Sequence, residues 1–407
     1  SVQMKITENL GIRIFTEIPK EEYTVIIDAV FGVGLSREIG GKYKDIICWM
    51  NEQKCAKTAV DIPSGVNSAT GEIMGTAFRA DLTAAMVCVK AGCEMYPGKL
   101  YAGETVALPI GIDPGYFASD SEVYITYDRE DIPRLLPERK ADSHKGSYGK
   151  VLMITGSRGM AGAAYLSARA AYAVGAGLVQ IYTAESNRSI LQQLLPEAVI
   201  SCYEEYDGKK LSSLLEWADV VCIGCGLGTD RTAEQILEYT LKNTAVPCIV
   251  DADGLNLLAG RPELLEDART PIILTPHMKE MSSLTGYPVS EIKRCRMKIL
   301  KAYTDRYSVV CVLKDSRTLV RKKGHHPFLN LAGNSAMAKA GSGDVLAGVI
   351  TGLTAQGMEA FESAALGVYI HACGGDTARD EKGSYSVIAR DLIGGIEKCM
   401  SVKGMEK

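Results

Sequence analysis

Apolar residues in this chain gather in short continuous runs. Glycine turns and segments with helical spacing separate them. The first run, TVIIDAV (24–30), feeds directly into the turn Gly32-Val33-Gly34. Continuous rather than alternating apolar positions predict a strand buried in a parallel sheet. Residues 43–53 (YKDIICWMNEQ) then read as a helix, and 57–65 (KTAVDIPSG) as a strand ending at a turn. Two more apolar segments follow at 80–90 and 104–111. Residues 119–147 break the pattern with three arginines, two prolines and no sustained apolar period. The boundary between two domains, 1–120 and 121–407, is placed there. From Lys150 the alternation resumes. Strands are expected at 150–155, 178–183, 218–226, 246–254 and 271–277, with a strand pair at 308–315 and 317–323. Helices are expected at 163–177, from Thr229, and in the tail at 343–357, 362–380 and 386–400. Strand and helix in alternation give an α/β class, here two three-layer α/β/α domains.

Composition narrows the functions open to such a chain. Forty-five basic and 49 acidic residues give a net charge of −4, which offers nucleic acid no electrostatic footing. No apolar run approaches the roughly 18–20 residues of a membrane span. The 12 cysteines are scattered, several of them inside apolar runs (Cys48, Cys88, Cys222, Cys248, Cys311). Scattered thiols suit a reducing cytoplasm better than a disulfide framework. Five histidines without zinc-ligand spacing give no zinc site. Glycine is abundant, at 41 of 407 residues, which implies many tight turns or close backbone approaches to a ligand. The chain opens with Ser1 and reaches its first strand almost at once, which reads as the cut start of a longer chain.

Candidate chemistry collects where strands end, the place where open α/β sheets bind ligands. The richest segment runs from Gly333 to Gly348 and contains Gly341-Ser342-Gly343-Asp344. Small residues opening a helix leave backbone N–H groups free, so 341–343 reads as an anion hole with Asp344 as a base beside it. Helix capping accounts for Asp344 but not for the glycines before it. Gly156-Ser-Arg-Gly-Met-Ala-Gly162 is neither a P-loop nor a dinucleotide fingerprint, and a plain strand–helix turn explains it equally well. Gly224-Cys-Gly226-Leu-Gly228 has Thr229 where a fingerprint needs glycine, and the turn at Gly32 has Arg37 there. A nicotinamide dehydrogenase is therefore disfavoured. Asp251, Asp253 and His277 close further strands. His277 reads equally as structural or as a ligand contact. Lys314-Asp-Ser-Arg-Thr318 reads equally as a hairpin turn or a nucleotide loop. In the first half, Asp28 and Asp61 end strands and precede small-residue turns. Asp61 suits an acid or base, and Asp28 with Ser64 offers oxygens to a cation.

Together these segments resemble the bifunctional NAD(P)HX repair enzymes, in which an NAD(P)HX epimerase is fused to an ADP- or ATP-dependent dehydratase. The resemblance rests on DAVFGVGL and VDIPSG in the first half. In the second it rests on HKGSYGKVLMITGSRGMAGAA, CGLG, DADGLN, LTPH, LKDSRT and GNSAMAKAGSGDVLAG. It implies a Rossmann-like first domain, present in part, and a ribokinase-like second domain. It implies repair of hydrated NADH and NADPH, with adenine nucleotide as co-substrate and Mg²⁺ beside it. By the resemblance, Ala163, Gly226, His277 and Asp344 contact the hydrate, and Lys314, Asp315, Ser316, Arg317, Thr318 and Gly343 contact ADP or ATP. In the epimerase half, Gly32, Val33, Gly34, Leu35, Ser36, Arg37, Glu38 and Asp61 contact the hydrate, and Asp28 and Ser64 bind K⁺. The family's asparagine- and glycine-rich phosphate loop has no counterpart before Asp28. An impaired epimerase site and a sheet edge prone to homo-oligomerisation are therefore expected. A ribokinase-like kinase of a small vitamin precursor is the alternative, because it would share the anion hole and Asp344.

Overall fold

The computed structural model describes residues 2–18, 21–117 and 123–401. The chain divides into two compact units, 1–119 and 120–407. The junction between them lies outside the described residues.

The first unit carries four parallel strands, β1 (Val25–Asp28), β2 (Ala56–Val60), β3 (Leu82–Met86) and β4 (Glu104–Leu108), side by side in that order. A helix at Gly41–Glu52 joins β1 to β2 and buries Ile47 and Met50. These pack with Ile26, Ala59 and Phe78 into a small core. Side chains alternate across a strand, and the register puts Val25 and Ile27 on one face with Val106 and Leu108. All four are exposed, Ile27 at 64%. β1 is thus buried on one face only, not on both as its unbroken apolar run suggests. The reason is its place at the sheet edge, with a helix packed on one side.

The second unit is built on a nine-stranded sheet. Its strands are β5 (Lys150–Ile154), β6 (Leu178–Ala184), β7 (Val199–Tyr203), β8 (Val220–Ile223), β9 (Cys248–Val250), β10 (Ile272–Leu274), β11 (Val310–Leu313), β12 (Leu319–Arg321) and β13 (Phe328–Leu329). The spatial order is 13-12-11-10-9-8-5-6-7. Only the β11–β12 and β12–β13 pairs are antiparallel. Val151, Met153, Cys222, Ile249 and Ile273 pack on one face against helices Ala161–Ala173, Ser342–Ala355, Ala360–Ser386 and Ala389–Met400. The alternate positions Leu152, Ile154, Val221 and Val250 are equally buried on the opposite face. Burial on both faces accounts for the continuous apolar runs of these strands.

Strand order reverses beside β5: β6 and β7 extend to one side, β8 and β9 to the other. At such a switch point open α/β sheets bind ligands beyond the strands' carboxyl ends. The turns Gly156–Gly162 and Gly224–Gly228 follow the two strands that flank it. Among the described residues no helix is long and apolar enough to cross a membrane. All twelve cysteines are free; Cys48 and Cys88 are exposed despite their apolar neighbours.

Candidate active sites

Asp251 ends β9 with its carboxylate almost wholly out of water. The Lys314 ammonium and the Thr275 hydroxyl each donate to Oδ1 at 2.7 Å. The Cys225 thiol faces Oδ2 at 3.7 Å. Lys314 remains a cation in this burial because Asp251 and Glu280 flank it, at 2.7 and 3.9 Å. Asp344 lies in the first turn of the helix Ser342–Ala355. One ligand atom each from Cys225, Asp251 and Asp344 fits within 4.8 Å. Burial and the neighbouring Asp251 charge push the Asp344 carboxyl up to about 6. That value suits a proton acceptor working near neutrality.

The backbone geometry at the expected anion hole requires glycine. Gly341 precedes the helix at φ 88°, and a Cβ there would sit 2.6 Å from Leu166 Cδ1 and 2.9 Å from Ala389 Cβ. Only glycine fits that crossing. A Cβ on Gly343 would point to Lys314 Nζ at 3.5 Å and Asp251 Oδ2 at 3.7 Å. The helix N-terminus, the ammonium and the two carboxylates therefore meet in one place. His371, buried and held down to about 4 by that burial, stands behind it with Nε2 3.4 Å from Ser342 Oγ.

His277 caps the helix Met278–Thr285. Its Nδ1 accepts from the backbone N–H groups of Lys279 and Glu280, and the Glu280 carboxylate accepts from the His277 N–H at 2.7 Å. Its ring is half exposed. Ala163 and Gly226 are brought together, since a Cβ on Gly226 would come within 2.8 Å of Ala163 Cβ. Asp253 Oδ2 accepts from Gly228 N at 2.9 Å and so fixes the second glycine turn. The segment 314–318 is divided. Lys314 reaches the anion hole, whereas Asp315 to Thr318 form the β11–β12 hairpin. There Thr318 Oγ1 donates to Asp315 O at 3.1 Å, Asp315 pairs with Arg296, Arg317 donates to Leu331 O, and Ser316 is exposed.

In the first unit Asp28 is fully buried at the end of β1. It accepts from Ser64 N and Ser64 Oγ at 2.7 Å and from Val30 N at 3.2 Å. Asp61 follows β2 at φ 70°, held by its N–H to Ala84 O and by Met86 N on its Oδ1. The Lys90 ammonium pairs with the same oxygen and donates to Met86 O at 2.9 Å. Val87 beside it also has positive φ, 66°, a strained state for a β-branched residue and a mark of functional loops. The loop 32–38 directly follows β1, with Leu35 half-buried and the rest exposed.

Several residues escaped the sequence reading. Lys90 and Glu280 belong to no motif weighed above. Asp251 was seen only as a strand end. Cys222-Ile-Gly-Cys225 has C-x-x-C spacing at the end of β8, and both thiols are fully buried.

Fold and topology define an α/β protein with a ribokinase-like larger unit. A solved ribokinase-like superfamily protein from Enterococcus faecalis is 30% identical and superposes with TM-score 0.60 over 68% of this chain and 97% of its own. The family model for NAD(P)H-hydrate dehydratase matches residues 151–398, and that for the YjeF-related protein N-terminus matches residues 1–92. The bifunctional NAD(P)H-hydrate repair enzyme of Coxiella burnetii is 38% identical, over 95% of this chain and 78% of its own length. The Escherichia coli relative of the same description is 32% identical, over 95% and 73%. An ADP/ATP-dependent NAD(P)H-hydrate dehydratase from Bacillus subtilis, co-crystallized with ATP/Mg²⁺, is 31% identical with TM-score 0.62, covering 68% of this chain and 98% of that one. The chain belongs to the bifunctional NAD(P)H-hydrate repair enzyme family. The match over 1–92 gives no support to the expectation of an impaired epimerase.

Proposed function

We propose that the second unit dehydrates the S-hydrate of NADH or NADPH at the expense of ADP or ATP, and that the first unit interconverts the R and S hydrates. The observation that carries the dehydratase reading is Asp344, held at about 6 by burial and Asp251 beside a glycine anion hole and the Lys314 ammonium. Hydroxide is a poor leaving group, and phosphorylation of the hydroxyl makes a good one. Asp344 takes the hydroxyl proton as its oxygen attacks the terminal phosphoryl group. The N–H groups of 341–343 and the ammonium of Lys314 hold the charge that builds on the phosphoryl oxygens. His277, Ala163 and Gly226 bind the hydrate, and Lys314 to Thr318 with Gly343 bind the nucleotide.

The Asp251 and Asp344 oxygens suit a hard cation that takes its other ligands from phosphate and water, whereas the Cys225 thiol does not. Mg²⁺ bound there with nucleotide would neutralise phosphate charge. In the first unit, Asp61 with Lys90 supplies proton transfer, 32–38 binds the hydrate, and the Asp28 and Ser64 oxygens are those that would hold K⁺. Twelve free thiols, seven of them buried, support a reducing cytoplasm as the site of action.

The test is recovery of reduced-nicotinamide absorbance from purified S-hydrate with Mg²⁺ and ADP or ATP. Nucleotide-dependent recovery is expected. No recovery by the folded protein, with a stable phosphorylated product from a vitamin alcohol instead, would move the assignment to a small-molecule kinase.

A further inference from the structure

Removing water from a hydrate takes two protons from two places. One leaves the hydroxyl oxygen when it is phosphorylated. The other leaves the neighbouring ring carbon when phosphate departs and the carbon–carbon double bond re-forms. Asp344 already holds the first proton at that moment. The second needs another acceptor near the same ring.

The groups around the site can be weighed in turn. Asp251 is closed, with Lys314 and Thr275 on one oxygen and the Cys225 thiol at the other. Against the opposing effect of burial, Lys314 and Thr275 lower its carboxyl, which makes it a weaker base. Asp253 is tied to Gly228 N through Oδ2 and does not line the cavity beside His277. Lys314 is a cation. The Cys225 thiol is pushed far up by Cys222 and by burial. His277 spends Nδ1 on two backbone N–H groups, so its neutral ring carries hydrogen on Nε2 and offers no lone pair. Glu280 remains. It lines a cavity of about 190 Å³ together with His277 and Asn256. His277 Nε2 lies 3.4 Å from Oε1, and Lys314 lies on the side of Oε2 at 3.9 Å. Burial raises this carboxyl above its ordinary value, which strengthens it as a base.

We infer that Glu280 is a second catalytic base, the group that takes the proton from the ring carbon as phosphate leaves. In that step the carbon–hydrogen bond breaks, its electron pair becomes the ring double bond, the carbon–oxygen bond to phosphate breaks, and the proton ends on Glu280. His277 N–H groups and Lys314 steady the carboxylate. The inference rests on the dehydratase reading.

Two quantities test it in one reaction: nucleotide consumed and reduced nicotinamide recovered. Glu280→Gln keeps an oxygen for the His277 N–H, so the helix cap survives. Recovery is expected to fall at least about 100-fold while nucleotide consumption falls less than about tenfold, so phosphoryl transfer runs uncoupled from repair. Equal loss of both would overturn the inference and leave Glu280 as a support for Lys314. Undiminished recovery would overturn it as well. If Glu280→Gln does not fold, Glu280→Asp answers instead. With hydrate deuterated at the ring carbon, recovery should show a primary isotope effect larger than in the unaltered protein. An unchanged isotope effect would overturn the inference. Failure of the unaltered protein to couple nucleotide to recovery would count against the dehydratase reading, not against Glu280.

Discussion

Both units put carboxylates at the carboxyl ends of parallel strands, yet the two arrangements differ in how the charge is met. In the first unit each carboxylate has its own donors: Ser64 and Val30 for Asp28, Lys90 and Met86 for Asp61. In the second, Asp251 and Asp344 crowd one another while a single ammonium, Lys314, serves Asp251 and Glu280. Burial first, and the neighbouring Asp251 charge second, make it costly to ionise every carboxylate here, and the cost falls on Asp344. The second site therefore holds one carboxyl above its ordinary range by its own architecture. In the first, each strand-end carboxylate already has donors of its own.

The largest effect expected from breaking this contrast is at Asp344. Asp344→Asn should keep nucleotide binding and lower nucleotide-driven recovery by on the order of 10²–10⁴-fold, while R/S interconversion is unchanged. Chiral separation of the hydrates beside the absorbance assay reads both. An unchanged recovery rate would remove Asp344 from the mechanism. Lys314→Met comes next, because it strands the buried Asp251 carboxylate. Breaking a buried pair from one side typically costs about 3–5 kcal/mol, so chemical denaturation of the second unit should shift clearly and nucleotide affinity should drop. Retention of both would show that Lys314 lies off the nucleotide path. A smaller effect is expected in the first unit. Lys90→Met should slow epimerisation by about 10–100-fold, partly rescued by Lys90→Arg, with dehydration untouched. A parallel loss of dehydration would mean the variant acts through the fold.

The sequence made the second unit easier to read than the first, and the reason is burial. Strands such as β8 and β9, covered on both faces, show as unbroken apolar runs. β7 and β13 were missed. The first is a partly exposed edge strand, and the second has two residues, too short for any period. β1 carries the same apolar run as a central strand while exposing Val25 and Ile27, so pattern alone misstated its surroundings. Glycine turns and Asp344 were legible because a run of small residues before a helix stands out in sequence. The Asp251–Lys314–Glu280 network was not, because β9, β10 and β11 bring it together across 63 residues of chain. Lys314 stood out only within its motif, and Asp315 to Thr318 form the hairpin that was one of the two readings of that segment.

The smallest predicted effect tests the crowding directly. If Asp344 must be ionised to accept a proton, recovery should rise with pH along a limb centred at about 6. The sign for stability is the opposite. A carboxyl raised from 3.8 to about 6 binds its proton more tightly in the folded chain than in the unfolded one. Its contribution is therefore full below pH 3.8 and lost as pH rises through about 6. The ionised, active form is the one the fold disfavours. Asp251→Asn removes the neighbouring charge but not the burial, which is the larger cause. The limb should move down by less than about one unit and stay above the ordinary carboxylate range. Glu280 also titrates upward from burial, so the profile is best followed in nucleotide consumption, where the first proton transfer is isolated. A limb that does not move would mean burial alone sets Asp344, and the contrast between the two units would then lie in solvent exclusion and not in charge.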